Sequence, residues 1–245
     1  MAIVHAPPLF HVQRSKERAF FNHGWLQTYH SFSFAEYFDP NNENWGALRV
    51  FNDDVIAGGE GFPEHPHRDM EILTYVVEGR LSHRDSMGNH GVVGVGGVQF
   101  MSAGNGIRHS EYNDDPLNKL RIVQMWVLPG KRGEKPSYGQ MDFAPEARLN
   151  TWLRVASGES DVEAPIRLTQ EASMSVATVE SDLPVYTFAP DRFGFIFVAS
   201  GQAEINGEKF DAGDSVRLYN VERLAVKGRA ELVLWDLPPL NNDAA

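Results

Sequence analysis

The stretch LTYVVEGRLSHRDSMGNHGVVGVGGVQF, Leu73 to Phe100, reads as strand, Gly79, strand, turn, strand, Gly97, strand. A second stretch, GFIFVASGQAEINGEKFDAGDSVRL, Gly194 to Leu218, repeats that order with Gly201, an Asn206-Gly207 turn and Gly213. Asn-Gly accepts positive φ at both central positions, which a two-residue hairpin requires. The Gly79–Gly97 hairpin is six residues longer than its Gly201–Gly213 counterpart. One strand pattern used twice predicts two β-barrels in tandem.

Outward from these stretches, short runs rich in Val, Ile, Phe and Tyr alternate with Gly, Asn, Asp and Pro clusters, as in all-β folds. Leu48–Phe51, Ile72–Val77, Leu120–Leu128, Phe193–Ala199 and Leu232–Trp235 are the clearest strands. Helical periodicity is brief, around Ser15–Phe20 and Ser33–Phe38. Pro129–Asn150 mixes Pro, Gly and charge with little alternation, so it reads as the linker. The expected domains are 1–135 and 136–245.

The 245 residues carry 22 Lys and Arg against 33 Asp and Glu, a net charge of -11. That balance argues against direct nucleic-acid or anionic-membrane binding, because no basic patch offsets it. Zero cysteines exclude disulfides, thiolate metal sites and a cysteine nucleophile, leaving His and carboxylate as metal ligands. No apolar run approaches the roughly 18 residues that span a bilayer, and no leader pattern is legible, so the expected location is cytoplasmic.

All nine histidines, at 5, 11, 23, 30, 65, 67, 83, 90 and 109, fall in the first 109 residues. Side chains alternate along a strand, so His65 and His67 share a face, as do His109 and Glu111. If the strands carrying these pairs are neighbours, three imidazoles and a carboxylate converge on one divalent cation in the first barrel. An isolated His-x-His is more often two surface histidines; the matching parity of both pairs favours the site. His83 and His90 flank the turn-like Asp85–Asn89 and are expected in solvent. His23 and His30, among Trp25, Tyr29, Phe32, Phe34, Tyr37 and Phe38, are expected to pack. Asp53 and Asp54 read as a turn between strands. Arg68 and Arg108 should face away from the ligands and form surface salt bridges.

Gly59, five residues, His65-x-His67, three residues, Glu71 resembles the first cupin motif; Gly106, two residues, His109, three residues, Asn113 resembles the end of the second. HPHRDMEILTYVVEG, DSMGNHG, MSAGNGIRHSEYN and NHGWLQTYHSFSFAEYFDP look like signatures of the pirin family within the cupins. The likeness is strong over residues 20–130; the C-terminal half matches as a degenerate barrel. Seven residues, not six, separate Glu71 from Gly79, and Gly104 stands where the second cupin motif has proline.

The resemblance implies a bicupin, with jelly-roll (double-stranded β-helix) domains. It also implies a quercetin 2,3-dioxygenase, opening the heterocyclic ring of a flavonol with O2 and losing carbon monoxide. Most cupins use the carboxylate of the first motif, here Glu71; pirin-like proteins use the one that maps to Glu111, and parity does not choose between them. Glu111 is taken as the ligand, with a second role as base for the substrate hydroxyl, and Glu71 as its rival. Substrate-binding residues are not legible. Iron is the implied cation, with copper, nickel, manganese and zinc as alternatives. A redox-sensing regulatory protein with incidental turnover is the competing class, and an isomerase or hydrolase on another oxygen-rich substrate is a third. Aligning Gly79 with Gly201 and Gly97 with Gly213 puts Thr187, Ala189, Ala225 and Lys227 at the ligand positions of the second barrel, predicting one metal per chain.

Overall fold

The computed structural model describes residues 8–240, so His5 lies outside it. Among the described residues there is no α-helix, only 3-10 turns at Ser15–Glu17 and Pro145–Arg148. No helix is long and apolar enough to cross a membrane. The N-terminal half sets a seven-stranded sheet opposite a four-stranded one; the C-terminal half sets an eight-stranded sheet opposite a two-stranded one. Each half is a jelly roll whose two sheets do not join into a closed ring.

The strands Leu48–Ile56, Glu71–Glu78, Val98–Ser102 and Leu120–Val127 lie side by side in the seven-stranded sheet. Both of its faces are covered, and alternation decides which residue serves which. Phe51, Leu73, Tyr75, Phe100, Val123 and Met125 point one way, into a core shared with Met174, Phe195, Phe197, Val233 and Trp235 of the second half. Their neighbours in sequence point into the N-terminal jelly roll. A strand buried on both faces reads as a continuous apolar run, which explains why Ile72–Val77 shows no clean alternation.

The second hairpin turns at Asn206 and Gly207, at φ 47° and 87°, as its sequence requires. The duplication holds with a shift of one residue. Gly96 N–H donates to the Val76 carbonyl as Gly213 N–H donates to that of Val198, so Gly96, not Gly97, corresponds to Gly213. The extra length of the first hairpin is therefore five residues, and Val226 and Gly228 replace Ala225 and Lys227 as counterparts of the ligands.

Two strands pair across the division expected at 135/136. Ser137–Met141 lies in the supposed linker but pairs with Val98–Ser102. Leu9–Gln13 pairs with Ser215–Tyr219 of the C-terminal half. The Pro129–Asn150 segment reads as a linker because its strand is short and at a sheet edge, where alternation is weak.

Asp53 and Asp54 are not a turn: both sit mid-strand in Leu48–Ile56 and are buried. Asp53 is held by Arg18 at 3.1 Å and by two hydrogen bonds from Arg121 at 2.8 and 3.0 Å. Asp54 faces the interior of the jelly roll. Adjacent acids resemble a turn only when their charges have no buried partners.

Candidate metal centre

The strands Gly61–His67 and Ile107–Asn113 pair antiparallel in the four-stranded sheet, with His65 opposite His109 and His67 opposite Ile107. The neighbourhood required for convergence is therefore met. The Nε2 atoms of His65 and His109 lie 3.1 Å apart, and one ring nitrogen from each of His65, His67 and His109 falls within 4.8 Å of the others. Two nitrogens bound to one ion at about 2.1 Å and roughly right angles stand about 3 Å apart, so the separation suits a shared cation.

The protonation states suit it too. Burial, with the neighbouring His109 and His65, lowers His67 to about 3, and burial with His65 and His83 lowers His109 to about 3. Both are neutral donors at pH 7. His65 Nδ1 lies 2.7 Å from the Pro63 carbonyl, which fixes Nδ1 as the protonated nitrogen and leaves Nε2 its lone pair.

Glu111 is fully buried, and burial lifts its carboxyl above the usual range. It groups with His83 and His109 within 4.8 Å, not with all three of the other expected ligands. Gln99 Nε2 donates to Oε1 at 2.6 Å, Gln124 Nε2 donates to Oε2 at 2.8 Å, and the Thr74 hydroxyl lies 3.5 Å from Oε1. Those donors come from a row across the inner face of the seven-stranded sheet, His30–Asn52–Gln124–Thr74–Gln99, one residue per strand in register. Oε2 keeps a lone pair free beyond its single hydrogen bond.

The rival carboxylate is committed elsewhere. Glu71 accepts from the backbone N–H groups of Thr169 at 2.8 Å and Gln170 at 3.1 Å, in the C-terminal half. Parity counted from His67 fails because the chain leaves the strand there, turns through Asp69 at φ 47°, and starts a new strand at Glu71.

Among the histidines, His83 and His23 lie opposite to expectation, His23 being exposed where it was expected to pack, and His83 is the one that bears on the site. Instead of facing solvent it is buried, stacked on Tyr138 with ring centroids 4.2 Å apart, and its Nδ1 lies 3.4 Å from that of His109. Alternation from Leu81 would have placed it inward, since Leu81 and His83 share a face of Leu81–Asp85. His90 and His23 are exposed; His30 packs against Phe21 and Phe34. Arg108 bonds Glu64 at 2.7 Å and Arg68 lies 3.4 Å from Asp69, both at the surface. Among the described residues, both three-residue donor clusters lie in the first half.

A cavity of about 400 Å³ opens beside His65, His67 and Glu111. Leu26, Phe34, Phe62 and Trp126 give it apolar walls, and Thr28, His30, Asn52 and Asp54 line it as well. Trp126 also meets His67 edge-on at 4.9 Å. A mostly apolar cleft with a few convergent polar groups is the usual form of a small-molecule site.

Comparison with known proteins agrees with this architecture. Residues 11–127 match the family model described as Pirin, and residues 154–237 match that of the quercetinase C-terminal cupin domain. A pirin-like protein of Caulobacter vibrioides is 44% identical over 218 residues, covering 88% of this chain and 94% of the relative. A quercetin 2,3-dioxygenase of Escherichia coli K12 is 40% identical over 95% of this chain and 100% of its own length. The structure of the bacterial pirin YhhW from Escherichia coli in complex with nickel(II) superposes with a TM-score of 0.88 at 39% identity, covering 95% of this chain and all of that one. With both halves matched and near-complete coverage by such relatives, this chain belongs to the pirin family, a bicupin.

Proposed function

We propose that the chain is a metal-dependent dioxygenase that opens the heterocyclic ring of a flavonol such as quercetin, consuming O2 and releasing carbon monoxide. The observation that carries this is the cluster of His65, His67 and His109, of which His65 and His67 line an apolar cavity. The relatives named quercetin 2,3-dioxygenase support it. His65, His67, His109 and Glu111 would hold one divalent cation, iron by family resemblance, with copper, nickel, manganese and zinc as alternatives. When bound, such an ion supplies positive charge that acidifies a hydroxyl beside it.

The chain's own residues supply the rest. Trp126, Phe34 and Phe62 clamp a planar aromatic ring and exclude water around it. Glu111, raised by burial, would take the substrate hydroxyl proton at Oε2 only as its bond to the cation loosens, while Gln99 and Gln124 hold the carboxylate in place. His83, behind His109, fixes that ring's orientation.

Quercetin consumption and carbon monoxide release in air, by protein loaded in turn with iron, copper, nickel or manganese, tests the reading. Turnover that disappears in His109→Ala is expected. No turnover with any ion would move the weight to the regulatory class, and turnover without O2 to an isomerase or hydrolase.

A further inference from the structure

The polar row across the inner sheet face divides in two. Gln124, Thr74 and Gln99 serve Glu111. His30 and Asn52, together with the cross-strand pair Thr28 and Asp54 one step along, give no hydrogen bond to Glu111. All four are more than nine-tenths buried and line the same cavity as the histidine cluster. Thr28 Oγ1, His30 Nδ1, Asn52 Oδ1 and Asp54 Oδ1 each lack a hydrogen-bond partner.

A buried polar atom without a partner destabilises a fold, so four on one wall need a physical reason. Packing supplies none, since apolar residues of equal volume would fill these places at no such cost. Asn52 Oδ1 only accepts, and the Thr28 hydroxyl, His30 Nδ1 and the ionised form of Asp54 can do so as well. What the wall wants is donors, spaced along the edge of something flat. Burial, with Asp53 and Glu111 adding to it, raises Asp54 to about 7 against the nearby Thr28 hydroxyl and the Arg18 charge, so its ionised form, shared with the protonated one near neutral pH, is a stronger acceptor than an ordinary carboxylate. Leu26, Phe34, Phe62 and Trp126 complete the surroundings with apolar surface for ring faces.

We propose that Thr28, Asn52 and Asp54, with His30 beside them, form a hydroxyl-recognising wall that selects a polyhydroxylated aromatic ligand by accepting its ring hydroxyls. This rests on the reading of the cavity as the substrate site and adds which residues choose the substrate.

The test titrates nickel-loaded protein, without oxygen, with two probes: quercetin, and 3-hydroxyflavone, which keeps the hydroxy-ketone and lacks every other hydroxyl. Wild type is expected to bind quercetin about tenfold tighter or more, the worth of one or two hydrogen bonds to otherwise unpaired groups. Thr28→Val, Asn52→Leu and Asp54→Leu are expected to erase most of that preference while 3-hydroxyflavone stays within about twofold. The ligand-free unfolding temperature of Asn52→Leu and Asp54→Leu is expected to rise, because an unpaired polar group has been removed. Three results overturn the wall and leave the flavonol reading standing: an equal preference in wild type, a preference untouched by the variants, or a parallel weakening of both probes. A lowered unfolding temperature with the preference intact marks these residues as structural and also overturns it. Failure of wild type to bind either probe removes the wall and the flavonol reading together.

Discussion

At the scale of single residues, the centre depends on imidazoles kept neutral and a carboxylate kept still. His65→Ala and His109→Ala should each bring metal content in washed protein to background, measured by elemental analysis. Gln124→Met removes the donor to Oε2 and leaves Glu111 in place, so metal affinity should fall about 10- to 100-fold, as when the partner of a ligand is lost. His67 and His109 titrate near 3 in the folded protein against 6.5 in the unfolded chain. Between those values the unfolded state binds more protons, so the metal-free protein should lose stability as pH falls from about 6.5 toward 3. Thermal unfolding at pH 7 and pH 5 should show the drop, and His109→Gln should flatten it. The pairs His65 with His67 and His109 with Glu111 were legible because strand parity holds inside one strand, while the neighbouring of the two strands was not; Gln99, Gln124 and Thr74 were not, because a polar residue in a buried run has no partner visible along the chain. Asp54 was misread for the same reason.

At the scale of elements, the informative feature is the turn that separates Gly61–His67 from Glu71–Glu78. It gives Glu71 the face opposite to Thr74, and with it a grip on the other domain. Glu71→Gln should lower stability by about 1 to 3 kcal/mol through weakened charge-assisted bonds, with metal content unchanged. Loss of metal in this variant and not in Glu111→Gln would reverse the assignment. Asp53 neutralises Arg18, which is buried, and Arg121, which also donates to the Ala199 carbonyl. Asp53→Ala leaves an uncompensated buried cation and should cost about 3 to 5 kcal/mol in denaturant unfolding. Sequence reading found the central strands and ran Leu120–Leu128 one residue long, but it cut others short: Leu48–Phe51 continues to Ile56 through Asn52, Asp53 and Asp54, whose polarity mimics a break.

For the whole molecule, the largest core cluster is drawn from both halves, with Phe51 and Tyr75 of the first among Phe195 and Trp235 of the second. Two domains that share a core should unfold together, so calorimetry should show one transition, not two. A separately expressed 136–245 fragment should expose that apolar face and aggregate. The duplication was legible from matched glycines and hairpins; the sharing was not, because both faces of a doubly covered strand look alike in one dimension.

The strand Leu9–Gln13 adds a consequence for biogenesis. It is translated about 200 residues before the edge it completes, Ser215–Tyr219. Throughout that interval the segment has no mate, and the arrival of Ser215–Tyr219 ties the two halves together. Nascent chains released before residue 219 should therefore stay open at that seam and be the preferred prey of cellular proteases.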